Sequence, residues 1–348
     1  MRPNRSGRSG KVKGDSKMMD PGRPAPDRRQ TLRLSPHEVV QAAALLRQGG
    51  LVAFPTETVY GLGADATRAD AVAGVYAAKG RPRFNPLIAH VADRDAARRE
   101  GAFDATAHAL SEAFWPGPLT LVVAASPCCS VSDLARAGLD SVALRVPAHP
   151  LAQALLRAVG HPVAAPSANR SGRVSPTQVA HVLADLDGRI DALLDGGPTA
   201  VGLESTIVAC LGGRAQLLRP GGVPREAIEG VLGKVLAEPE PDSAAPRAPG
   251  MLASHYAPLT PVRINARRIA PGEAALLFGS EKPDGLEDAR AVLNLSAGGD
   301  LVEAAACLFA HLRELDRCRA SAIAAASVPQ TGLGEAINDR LRRAAVRR

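Results

Sequence analysis

Short apolar runs alternate with helix-like segments along residues 35–232, and each run stops at a proline, a glycine or a polar turn. Runs of this kind at 51–54, 87–91, 119–124, 142–146, 163–165 and 206–210 read as buried strands. Helical patterns fit 69–79, 104–114, 150–159, 176–184 and 224–232. Strands and helices that interleave in this way predict an α/β fold. Gly212-Gly213 is a two-residue hairpin turn joining 206–210 to a strand at 216–218. A hairpin pairs its strands antiparallel, so the expected sheet is twisted and mixed rather than purely parallel. Order is expected to begin at Ser35-Pro36-His37-Glu38, a capping box with proline at the first helical position.

A chain of 348 residues, 46% of them hydrophobic, is long enough for two cores. Residues 236–260 carry Pro239, Pro241, Pro246, Pro249 and Pro258 and read as a linker. Met251, Leu252, His255 and Tyr256 interrupt it, which a pure spacer would not need, so it is expected to pack on something. Beyond it, strands at 274–278, 292–295 and 322–326 and helices at 300–315 and 334–345 predict a smaller, Rossmann-like α/β domain over 261–348. The larger domain spans 34–235.

Charge separates these domains from the N-terminal tail. Residues 1–33 hold ten Lys/Arg against three Asp/Glu, the whole of the net +7. The remaining residues hold 32 basic and 32 acidic side chains, so the basic balance is no argument for a nucleic-acid-binding fold. The tail is poor in apolar residues and is expected to be disordered, with Met18 and Met19 as alternative starts. No apolar stretch approaches the roughly 20 residues that span a bilayer, and the basic start lacks the apolar core of a secretory signal. The five cysteines are odd in number, lack metal-ligand spacing and fit reduced thiols in a cytosol better than disulfides or a zinc site, so a cytoplasmic protein is expected.

No P-loop, no G-x-G-x-x-G after a strand, no H-E-x-x-H and no G-x-S-x-G is present. Candidate chemistry is therefore scattered. Lys79-Gly80-Arg81-Pro82 ends a helix-like segment, where cations simply complement the helix dipole. It also joins a point charge to a planar fork, suited to phosphate oxygens, with Gly80 letting backbone approach a ligand. Arg145 and Arg219 lie within or at the end of apolar strands; on a solvated face each is ordinary, whereas in a central strand the cation needs a partner, for which an anionic ligand is one candidate. Pro166-Ser167-Ala168-Asn169 opens a strand end into a polar turn, a favoured ligand position in α/β sheets. Ser175-Pro176 reads as an N-cap, and Glu204-Ser205-Thr206 precedes another strand. His90, ending an apolar run, is more often structural than a ligand. Two threonines and a glutamate in residues 55–63 are costly after a buried strand unless each is hydrogen-bonded.

Taken in order, these motifs resemble one family. Residues 55–63 are followed by Lys79-Gly80-Arg81-Pro82, Asn85-Pro86-Leu87, Trp115-Pro116-Gly117-Pro118-Leu119-Thr120 and Arg145-Val146-Pro147. Then come Pro166-Ser167-Ala168-Asn169, Glu204-Ser205-Thr206 and Leu218-Arg219-Pro220-Gly221. The series over 35–235 resembles the YrdC-like threonylcarbamoyl-AMP synthases. Ala248-Pro249-Gly250-Met251 and His255-Tyr256-Ala257-Pro258 look like the linker of the long, two-domain form.

The resemblance implies a nucleotidyltransferase whose twisted sheet surrounds a concave, positively charged cavity. It would make threonylcarbamoyl-AMP and pyrophosphate from L-threonine, bicarbonate and ATP. The product would pass to a transferase complex acting on position 37 of tRNA. The family pattern places threonine against Thr58, His90, Arg145, Ala165 and Ser205, with Arg145 pairing the carboxylate. ATP falls against Arg81, Asn85, Ser141, Ser167, Ser175 and Arg219, with Lys79 facing the phosphates and Mg²⁺ carried by them. Lys79 and Arg81 are the expected catalytic pair. Archaeal long forms carry a nucleotide-contacting tyrosine two residues before the His-Tyr pair. Here that position is Ala253, so the linker is expected to cover the site without that contact.

Two other readings compete. An RNA-binding module would use the basic cavity and tail on double-stranded RNA, but the neutral balance after residue 33 argues against RNA as principal ligand. A carbamoyl-transfer domain like those of hydrogenase maturation proteins would come with acylphosphatase and zinc segments, which this chain lacks.

Overall fold

A computed structural model describes residues 30–82, 85–237 and 256–346. The expected tail up to residue 29, and the linker residues Met251, Leu252, Ala253 and His255, lie outside the described residues.

The larger sheet is mixed, as the hairpin required. Across it, the strands run Leu32–Leu34, Ala192–Leu194, Val52–Pro55, Tyr60–Asp65, Val163–Ala164, Ile88–His90, Ser141–Arg145, Leu119–Ala125, Thr206–Leu211 and Arg214–Arg219. Gly101–Ala102 adds a short pairing to Leu119–Ala125. One face packs under helices Val39–Arg47 and Pro150–Val159 through Leu46, Phe54, Leu155 and Leu156. The other face builds the larger core under helices Ala69–Lys79, Ala105–Phe114, Val179–Leu186 and Arg225–Leu232. Their side chains are mainly Ala, Val and Leu, as expected of a chain with 3% aromatics.

Three of the structure's departures from the sequence expectation bear on the argument. Order does not begin at Ser35. Leu32–Leu34 is an edge strand parallel to Ala192–Leu194, and the buried Thr31 hydroxyl accepts from the Gly188 amide and donates to the Ile190 carbonyl. The basic composition of the tail hid the alternation of Leu32, Arg33 and Leu34. Residues 60–65 form a strand antiparallel to Val52–Pro55, where no strand was expected. Its apolar face is Tyr60, Leu62 and Ala64, a period of two diluted by the glycines between them. Gly80 is the left-handed C-cap of helix Ala69–Lys79, with φ of 60°. That conformation alone accounts for a glycine there, without a ligand.

The C-terminal unit is a four-stranded parallel sheet in the order Val262–Arg263, Ile323–Ala325, Ala274–Leu277, Val292–Asn294. Helices Leu301–Arg317 and Leu333–Ala345 supply Leu308, Phe309, Leu312, Ile337 and Leu341 to its core. Val59, Val174, Leu203 and Tyr256 join the same core, so this unit is packed onto the larger sheet by apolar burial. Ion pairs Arg225–Glu335 at 2.6 Å, Arg313–Asp185 at 2.8 Å and Arg340–Glu204 at 2.8 Å cross the same boundary.

Candidate active site

Strand ends build the cleft. Ile88–His90 and Ser141–Arg145 run parallel with His90 opposite Arg145, so both side chains come from the same level of the sheet. The turn after Val52–Pro55 brings Thr56 and Thr58, and the turn after Val163–Ala164 brings Ala165 to Ser167. Ser205 precedes Thr206–Leu211, and Arg219 closes Arg214–Arg219. The Arg219-Pro220-Gly221 turn is pressed onto residues 204–206. A Cβ on Gly221 would lie 2.4 Å from the Glu204 carbonyl oxygen and 2.5 Å from the Thr206 nitrogen, so only glycine fits. The cleft, open solvent at its mouth included, measures about 550 Å³, and Val59, Gly61, Arg81, Ile88, Glu204 and Tyr256 complete its lining.

Three arginines charge this space. Arg145 is buried and donates through Nη2 to Glu57 Oε1 at 2.7 Å and through Nη1 to Thr58 Oγ1 at 2.9 Å. Its Nε donates to the Gly117 carbonyl at 3.2 Å. Arg219 donates to the Ser205 carbonyl at 2.9 Å and to Ser205 Oγ at 3.3 Å. Arg81 donates to the carbonyls of Asn85 and Pro86. Burial pulls Arg81 down to about 10, Tyr76 and Tyr256 opposing, so it stays a cation at neutral pH. Burial lowers Arg219 as well. The neutral carbonyls bonded to Arg81 do not balance its charge, and an anion entering the cleft would.

Burial, then the Arg145 charge, pushes His90 down to about 3, so its imidazole is neutral at physiological pH. Its Nδ1 is buried with no partner and the ring lines the cleft. Among the described residues, no cleft serine or threonine hydroxyl is bonded to a histidine; Thr58 and Ser205 bond arginine instead.

The remaining candidates lie elsewhere. Lys79 does not line the cleft. Its buried Nζ donates to the carbonyls of Ser167 and Asn169, both at 2.5 Å, and so ties down the turn that carries Ser167. Burial, then Arg81, drives its pKa well below the lysine range. Asn85 is buried behind Arg81, with Oδ1 unpartnered. Ser175 is buried and donates to Glu204 Oε1 at 2.5 Å. Ser141 stands at the start of the strand whose last residue is Arg145, away from the lining.

A family model described as Telomere recombination matches residues 44–221. A second, described as Threonylcarbamoyl-AMP synthase, C-terminal domain, matches 223–346. The threonylcarbamoyl-AMP synthase of Bacillus subtilis is 44% identical over 88% of this chain and 93% of its own length. That of Pyrococcus abyssi is 42% identical over 90% and 95%. The chain belongs to the threonylcarbamoyl-AMP synthase family. Its two consecutive matches make it the long, two-domain form of that family. The crystal structure of P. abyssi Sua5 complexed with L-threonine superposes with a TM-score of 0.81 at 38% identity, covering 90% of this chain and 97% of that one.

Several residues at this synthase-family site stood in the sequence motifs without a role assigned to them. Glu57 is fixed by Arg145 and, at 3.0 Å, by the Ala148 amide. The costly polar run after a buried strand was its signal. Glu204 accepts from Ser175 and from Arg340 Nε at 2.8 Å. Burial pushes its carboxyl up, but Arg340, Arg219 and Ser175 outweigh that and hold it below the usual range. Tyr256, at φ of 65°, stacks on Phe309 with centroids 5.6 Å apart.

Proposed function

We propose that this chain makes threonylcarbamoyl-AMP and pyrophosphate from L-threonine, bicarbonate and ATP. The observation that carries the reading is a single cleft with three buried arginines, a neutral histidine bearing an unpartnered ring nitrogen, and no nucleophile–base pair among the described residues. Such a cleft can align and neutralise anions, and this reaction needs little else from the protein.

Threonine enters with its carboxylate on Arg145. Three of that guanidinium's five N–H groups are engaged, which leaves one on each Nη for a bidentate carboxylate. His90 Nδ1, Thr58 and Ser205 surround the amino and hydroxyl groups. The threonine amine condenses with bicarbonate to give a carbamate and water. A carbamate oxygen then attacks the α-phosphorus of ATP, the bond to the β-phosphate oxygen breaks, and pyrophosphate leaves. Arg81 and Arg219 neutralise the charge that builds on the phosphates, and Ser167 borders the same space. The carboxylates nearest the cleft, Glu57 and Glu204, are each taken by an arginine. The described residues contain no group of three or more metal-ligating side chains, so we assign Mg²⁺ to the ATP phosphates. The product would serve a transferase that modifies position 37 of tRNA.

The test is pyrophosphate release by purified protein. Release is expected only with ATP, threonine and bicarbonate together, and serine or valine in place of threonine should sharply reduce it. Equal release without any amino acid would overturn the reading.

A further inference from the structure

We propose that Arg340, on the last helix of the C-terminal unit, is a positioning residue for the cleft, clamping its two basic and hydroxyl-bearing turns into one wall. The inference rests on the cleft being the catalytic site and concerns how the second domain serves it.

Arg340 is fully buried, whereas the other charged residues of its helix, Glu335, Asp339, Arg342 and Arg343, are half-buried or exposed. Each contact it makes beyond its own helix goes to the cleft wall or its direct neighbour in sequence. Nε donates to Glu204 Oε2 at 2.8 Å, one residue before Ser205. Nη2 donates to the Pro220 carbonyl at 3.0 Å, one residue after Arg219. The guanidinium carbon lies 5.0 Å from the centroid of the Tyr256 ring, which lines the cleft. Nη1 pairs with Asp339 at 2.6 Å, which fixes the fork's orientation from its own helix.

These contacts close a ring. Arg219 grips Ser205 from one turn to the other, Gly221 presses on the backbone of 204–206, and Arg340 bridges the same two turns from behind. Glu204 passes the restraint on through Ser175. The other cross-boundary pairs do not reach this wall. Arg225 holds Glu335, and Arg313 holds Asp185 and the Val174 carbonyl. A bidentate bridge between two turns fixes their spacing as well as their charge, and phosphoryl transfer is sensitive to placement near 1 Å. The C-terminal unit thereby contributes to turnover without touching a reactant.

The experiment compares Arg340→Met, Arg340→Lys and the double variant Glu204→Gln/Arg340→Met with Arg225→Met as control. The double variant removes both buried charges and so guards against a fold lost to an uncompensated Glu204. In pyrophosphate release, Arg340→Met and the double variant should lose roughly 100-fold in kcat with KM for threonine changed less than about threefold. Arg340→Lys, which keeps the charge but not the bridge, should recover part of the loss, and Arg225→Met should stay within about twofold. A double variant that remains folded and keeps wild-type kcat overturns the proposal. An inactive wild type would sink the functional reading but not decide this one. The NMR resonances of Arg219 Nε–H and the Ser205 amide then decide it. They should shift and broaden in both Arg340→Met proteins and not in Arg225→Met. Unchanged resonances refute the clamp whatever the reaction proves to be.

Discussion

Arg145 and Glu57 form a 2.7 Å ion pair in which the arginine side chain is 4% exposed and the carboxylate 12%. The second carboxylate oxygen is held by the Ala148 amide, so Glu57 cannot swing away and Arg145 is aimed before any ligand arrives. A cation fixed this way loses little freedom on binding.

Arg145→Lys should therefore raise KM for threonine. Lysine supplies charge but not the fork that serves Glu57, Thr58 and a carboxylate together. A charged hydrogen bond of about 1.5–3 kcal/mol corresponds to a rise of roughly 10- to 100-fold. Initial rates against threonine concentration would show it, and an unchanged KM would move the carboxylate elsewhere in the cleft.

His90 gives stability a pH dependence of definite sign. Its folded pKa lies near 3, below the ordinary value of 6.5. Below pH 6.5 the unfolded chain takes up a proton that the folded protein refuses until about pH 3. The stability contribution is complete above 6.5 and is lost as pH falls through that window. Between pH 7 and pH 5 the loss assigned to this one group is about 2 kcal/mol. Urea unfolding at the two pH values should show a drop smaller by that amount in His90→Gln. An equal drop in both proteins would mean that His90 protonates while folded.

Legibility in the sequence followed the range of each interaction. The hairpin, the helix over 69–79 and the helix over 150–159 rest on local turn chemistry and periodicity, and the structure has them. The cleft-lining residues are separated by tens of positions and drew together on paper only through the order of their motifs. Residues 60–65 hid as a strand because two of six are glycine and the run begins beside polar residues. Arg340 was invisible for a different reason. It shares a helix face with Ile337, Leu341 and Ala344, all buried. An arginine in such a stripe ordinarily lays its stem on the apolar surface and sends its charge to water. Only the tertiary structure puts Glu204 at its tip.

Lys79 and Arg81 should separate when mutated. Lys79→Met removes the donor from two buried carbonyls, those of Ser167 and Asn169. Unpaired buried acceptors cost about 1–3 kcal/mol each, partly offset because a buried ammonium is also gone. The variant should lose about 1–3 kcal/mol of stability together with turnover. Arg81→Ala should lose at least about 100-fold in kcat, the scale of a deleted charge-stabilising donor, with a smaller change in Tm. Thermal melts beside kinetics separate the two. A Lys79→Met protein as stable as wild type but inactive would point to a direct phosphate contact.

Truncation tests where the ordered chain begins. Removing residues 1–29, which lie outside the described residues, should leave both activity and Tm unchanged. Removing residues 1–34 takes away the strand Leu32–Leu34, the buried Leu34 side chain and both hydrogen bonds of Thr31. Burying a leucine is worth about 1.5–3 kcal/mol, and each lost hydrogen bond about another 1 kcal/mol. Loss of the strand also leaves Ala192–Leu194 paired on one side only, with Val52–Pro55. A new edge of Ala, Leu and Leu is a template for intermolecular pairing. The longer deletion should thus lower Tm by several degrees and shift the protein toward aggregates in size-exclusion chromatography, while the fraction that stays monomeric keeps its kcat. Equal Tm for the two truncations would show that the parallel pairing of Leu32–Leu34 adds nothing to the folded protein.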